Sequence, residues 1–151
     1  MRFVAASTGL LSVTFLVSVS GAFAIDEKAP DPQALQALQA RANQAEPKEQ
    51  CFLYAELVHD MTELAGKQIS TGDEHAAETL HAIQEYASKI HMGVATDSKK
   101  LKNAEILVRH TAFRLKDILS SASLDDRPAL DATLKQLDQV QAEMMLQVFR
   151  K

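Results

Sequence analysis

The sequence of 151 residues has one cysteine, no tryptophan, two tyrosines and five glycines. Each shortage excludes something. A lone Cys51 rules out the internal disulfide framework that staples many small exported domains. It also rules out Cys-x-x-Cys-His, the signature of covalent haem attachment. Glycine is too sparse for a phosphate-cradling loop. No Gly-x-Ser-x-Gly elbow supports nucleophilic catalysis. The formal net charge is −4, and a mildly acidic chain is a poor match for nucleic acid, whose phosphates need a basic face. Alternation of period two never persists, so no strand is expected.

Charge is also missing from Phe3 to Ile25, after the single basic Arg2. The stretch has an apolar centre, Leu10 to Val17, and ends in Ala22-Phe23-Ala24 before the charged Asp26-Glu27-Lys28. This is the pattern of a secretory signal peptide over 1–24, cut after Ala24. The competing reading is an uncleaved N-terminal anchor, since the uncharged run is long enough to span. Its Ser, Thr and Gly content and the small-x-small triplet favour cleavage. No later segment is apolar enough to cross a membrane. The expected location is therefore periplasmic or extracellular. Cleavage removes Arg2 and no acid, which makes the remaining chain one unit more negative.

Beyond the leader, 25–32 is polar, holds Pro30 and Pro32, and reads as a linker. The rest, 33–151, is expected to be one all-α domain. A short helix with a thin apolar stripe occupies about 33–45. Four longer helices come after it, at about 47–69, 73–94, 97–121 and 126–149. Pro47 suits a first helical turn. Gly72 and Asp73 form a stop and a start, and Ser123 to Asp126 caps the last helix before Pro128. That helix repeats Leu130, Leu137 and Met144 at near-heptad spacing. Short connections imply antiparallel neighbours, hence an up-down-up-down four-helix bundle with an extra N-terminal helix. With Phe3, Phe15 and Phe23 in the leader, the core must be mainly aliphatic.

The tetrapeptides Glu56-Leu57-Val58-His59 and Glu78-Thr79-Leu80-His81 both read Glu-x-x-His. That spacing puts a carboxylate and an imidazole on one helical face, as in di-iron bundles. On a helical wheel, however, both motifs lie roughly 140–160° from the apolar stripe of their helix. Both are expected to face solvent, and no buried di-metal site is expected. A surface metal site on Glu78, His81 and Glu85 is the residual metal hypothesis, because His81 and Glu85 stand four apart. Met61 and Met144 are expected to fill the core, and no cofactor is expected.

Charge is unevenly spread. The 73–95 stretch is acidic, while 97–121 holds Lys99, Lys100, Lys102, Arg109, Arg114 and Lys116. These two helices are expected to pair with one another, with Lys99, Lys100 and Lys102 as a candidate anion-facing cluster. Cys51 reads as a half-buried small hydrophobe, with an intermolecular disulfide as the sharper alternative. Five apolar residues fall off the main stripes: Phe52, Ile106, Phe113, Leu146 and Phe149. Either the N-terminal helix covers part of this surface with Leu35 and Leu38, or it is an interface. The sequence thus points to a non-enzymatic exported bundle acting through a protein partner or self-association. The alternative is a metal- or anion-binding carrier.

Overall fold

The computed structural model describes residues 30–90 and 98–149. The expected signal peptide and most of the expected linker lie outside the described residues, as does His91. Five helices fill the described chain: α1 Pro32–Gln44, α2 Pro47–Thr71, α3 Ala76–Ser88, α4 Ser98–Ser121 and α5 Arg127–Val148. Among the described residues there is no strand, and no helix is long and apolar enough to cross a membrane.

Local chemistry explains most of the ends. Asp31 accepts a hydrogen bond from the Gln33 N–H and starts α1, with Pro32 at its first position. Pro47 opens α2, where its missing N–H is no loss. Gly72 closes α2 in the left-handed conformation, at φ 67°. Its N–H and that of Asp73 donate to the carbonyls of Ile69 and Gln68, which would otherwise be orphaned. Ser123 and Asp126 bond reciprocally ahead of α5. Both ends of α3 depart from expectation: it starts at Ala76, with His75 as N-cap and no side-chain cap bond, and not at Asp73. The apolar period continues to Val94 and predicts a helix of that length, yet α3 stops at Ser88, and Lys89 and Ile90 are already non-helical. Residues 91–97 lie outside the described chain.

The α2–α3 turn carries a testable charge pair. Asp73 accepts from the His75 backbone N–H at 2.9 Å, and its Oδ1 lies 2.8 Å from His75 Nδ1. The hydrogen bond and charge of Asp73 push the His75 pKa above 6.5, while the bonds from His75 hold Asp73 low. The pair contributes only while Asp73 is ionised and His75 protonated. It weakens as pH rises through the raised His75 value, and again as pH falls through the lowered Asp73 value. An NMR titration should place His75 above ordinary histidine, and Asp73→Asn should return it toward 6.5.

Packing is organised around α2, which touches α1, α3 and α4, while α5 touches α3 and α4. The core is aliphatic, with Leu57, Leu80, Ile83, Leu115, Leu130, Leu137 and Met144 fully buried. Buried hydroxyls are satisfied locally: Thr62, Thr111 and Thr133 donate to the carbonyls four residues back, at 2.8 Å each. Leu38 and Ala42 bury the inner face of α1. Tyr54 fastens α1 by donating to Asn43 Oδ1 at 2.9 Å, and its ring stacks on Tyr86 of α3 at 6.1 Å.

One expected neighbour relation is corrected. The acidic helix and the basic helix, α3 and α4, do not pack together among the described residues. Instead α4 lies on α2. Glu49 meets Lys100, His59 meets Thr111, and Glu63 meets Arg114, at sequence offsets of 51 or 52. A constant offset means that α2 and α4 run the same way. Gly66 permits their close approach: a Cβ there would sit 2.9 Å from Ile118 Cδ1. The Lys100 and Arg114 charges of α4 are thus met by acids of α2, not of α3.

Candidate functional site

Among the described residues no enclosed catalytic centre stands out, and the candidates are surfaces. The first is apolar. Phe113 on α4 is 58% exposed, and Met145, Leu146 and Phe149 on or just after α5 are 41%, 71% and 74% exposed. Leu124, in the α4–α5 loop, is also exposed. Gln141 donates to Glu105 at 3.3 Å and Lys116 lies 4.0 Å from Asp138, so α4 and α5 run in opposite directions. That register sets the end of α5 beside the first turns of α4. Phe113 and Phe149 then stand roughly 20 Å apart along the bundle, at 1.5 Å per residue. Ile106 falls between them and is half-buried. Phe113 is dressed on one side by Lys116, whose Nζ stands 5.5 Å from the ring centroid.

Phe52 does not join this surface. It is half-buried on α2, packed against the core, and lines a cleft. The cleft occupies about 530 Å³ between the α1–α2 elbow and the first turn of α4, and is lined by Arg41, Gln44, Ala45, Glu49, Phe52, Leu53 and Lys100. So α1 does fold back over part of the off-stripe surface, with Leu38 buried and Leu35 packed on the core. Lys100 turns into the cleft and pairs with Glu49, which holds the Glu49 carboxyl below its usual range. Lys99 and Lys102 are exposed. Of these three lysines at the start of α4, Lys100 lines the cleft.

The two Glu-x-x-His motifs part company. Glu78, His81 and Glu85 are exposed, with His81 Nδ1 3.8 Å from Glu85 Oε1. Among the described residues no three His, Cys, Asp or Glu side chains gather to hold a metal ion. His59 contradicts the solvent-facing expectation. It is half-buried against α4, with Nδ1 3.0 Å from Thr111 Oγ1. The Thr111 hydroxyl proton is committed to the Leu107 carbonyl, so His59 Nδ1–H is the donor. Both carboxylate oxygens of Glu63 share the Arg114 Nε–H as acceptors, at 3.0 Å each. Glu56 stands 3.8 Å from Arg41 of α1. The polar side of α2 is thus a seam between helices. Burial also raises the Asp60 carboxyl, partly offset by His59.

Sequence reasoning misses Met145, although its i, i+4 relation to Phe149 is a usable signal. It also misses Arg41, for which the short α1 helix offers none. Glu105 of α4 is buried, bonded to Gln141 and 3.9 Å from Arg109. Comparison with family models, curated proteins and solved structures gives no match.

Proposed function

We propose that this chain is an exported, non-enzymatic helical protein that works by protein–protein contact. In this reading α2 to α5 form an up-down-up-down four-helix bundle, with α1 as an added helix. The contact surface is the outer side of α4 and α5, and its occupant is a second copy of the chain. The observation that carries this is the concentration of exposed large apolar side chains, Phe113, Met145, Leu146 and Phe149, on two helices packed together. Scattered single apolar residues need no explanation, but a set sharing one side of a bundle does.

Charge supports a second copy as the occupant. The exposed charges of α4 are net basic (Lys99, Lys102 and Lys116 against Asp117) and those of α5 net acidic (Asp131, Asp138 and Glu143 against Arg127 and Lys135), with Lys116 and Asp138 already facing one another within the chain. A twofold arrangement laying α4 of each copy on α5 of the other sets basic against acidic surface twice over. Light scattering after size exclusion tests this. The wild-type protein should elute at twice the chain mass at about 100 µM. Phe113→Asp combined with Leu146→Asp should give the single-chain mass with unchanged helical circular dichroism. These exposed positions tolerate charge in the fold but not in an apolar interface. A wild-type protein of single-chain mass at this concentration removes the self-association reading.

A further inference from the structure

The cleft at the α1–α2 elbow is lined by none of the exposed apolar side chains of α4 and α5 and invites a different occupant. We propose that it binds a small amphiphile with one anionic group on an apolar body, of the organic carboxylate class. This stands independently of the self-association reading.

The volume, about 530 Å³, falls within the range of small-molecule sites. Its walls divide by chemistry. Phe52, Leu53 and Ala45 supply an apolar floor, and Arg41 and Lys100 supply two cations against one acid, Glu49. The Lys100–Glu49 pair is already formed, so these two charges largely cancel locally. Arg41, with its side chain 67% exposed, forms a looser pair with Glu56, so it offers a ligand unmet donors and not net charge. Its nearest acid, Glu56, stands 3.8 Å away, too far for a hydrogen bond, and Glu56 Oε2 has no hydrogen-bond partner. The Arg41 guanidinium thus keeps a planar fork of donors suited to a carboxylate. Glu56 tempers its charge without occupying the fork. A neutral apolar ligand would leave that fork unmet, and a dianion would add repulsion from Glu49.

The walls are also held in place. Gln50 Nε2 donates to the Ala42 carbonyl at 3.2 Å, and Tyr54 donates to Asn43, both across the elbow. The cleft exists before a ligand arrives, which spares the ordering cost of closing a loop.

The test uses the full purified protein and the fluorescent anion 1-anilinonaphthalene-8-sulfonate, with decanoate and decanol as competitors. The expected result is saturable binding that decanoate displaces and decanol does not. Arg41→Glu should weaken probe binding by tenfold or more, and Phe52→Ser should weaken it comparably. Phe113→Asp with Leu146→Asp should leave it within twofold. Each variant is first checked for native helical content and cooperative melting. Binding unaffected by Arg41→Glu, displaced equally by decanol, abolished by the α4–α5 variant, or absent at millimolar probe overturns the proposal. The oligomeric state of the same samples reports on the interface separately.

Discussion

Replacing Leu137 with alanine should lower the unfolding free energy by about 2–5 kcal/mol, whereas Leu146→Ala should change it by less than about 0.5 kcal/mol. The two leucines share a helix and a chemistry and differ in surroundings. Leu137 has no exposed surface, and Leu146 is 71% exposed. Truncating Leu137 removes buried methyls and leaves a cavity that the surrounding core fills only in part. Truncating Leu146 removes atoms already in water. Domains of this size have total stabilities of about 5–15 kcal/mol, so the first change takes a large share of the whole. Urea unfolding at a fixed low protein concentration is the measurement, because association would add its own stabilisation to the folded state. A Leu137→Ala cost below about 1 kcal/mol would show that α5 is not seated in the core through this residue.

The contrast between those leucines is legible in the sequence. Leu130, Leu137 and Met144 recur at seven-residue spacing and are fully buried, while Leu146 and Phe149 fall off that stripe. End signals are legible for a similar reason. Pro47, Gly72 and Ser123 act on their own neighbours within four residues, so no tertiary knowledge is needed to interpret them. The end of α3 is less legible, because the apolar period continues past Ser88 with no proline to interrupt it. The point where a periodic helix stops depends on where the chain must go next, and periodicity does not encode that.

The polar side of α2 shows where a helical wheel fails. A wheel assigns each helix one apolar stripe and gives the remainder to water. The α2 helix has three neighbours, α1, α3 and α4, which together cover most of its circumference. Glu49, His59 and Glu63 therefore face another helix, and each finds a polar partner there: Lys100, Thr111 and Arg114. A burial pattern made of matched polar groups has no hydropathy signature. It depends on which helix lies alongside, and nothing in the residue pattern favours α2 over α3 as the helix that meets the cations of α4. The same limit hides the elbow cleft. Arg41 and Lys100 stand far apart along the chain and meet only because α2 carries both α1 and α4.

Cys51 should react with iodoacetamide about 100-fold more slowly than an exposed thiol at the same pH below 9, from thiolate population alone. Burial pushes its pKa from 9.0 up to about 11. Only the thiolate attacks, and two pH units remove about 99% of it. The side chain is also only 2% exposed and packed in the core, so steric exclusion slows the reaction further. The intermolecular disulfide that a lone cysteine suggests would require this thiol to leave the core. Guanidinium at unfolding concentration should restore ordinary reactivity, and that is the control. The raised pKa has a second consequence. The unfolded thiol ionises from about pH 9 while the folded one holds its proton to about pH 11. Unfolding is therefore increasingly favoured between these values, by roughly 2–3 kcal/mol at the upper end. Cys51→Ala should lack that contribution to the alkaline slope of stability, whatever constant offset its smaller side chain adds. Rapid alkylation of the folded protein at pH 8, with stability equally pH-dependent in both forms up to pH 11, would place Cys51 at the surface.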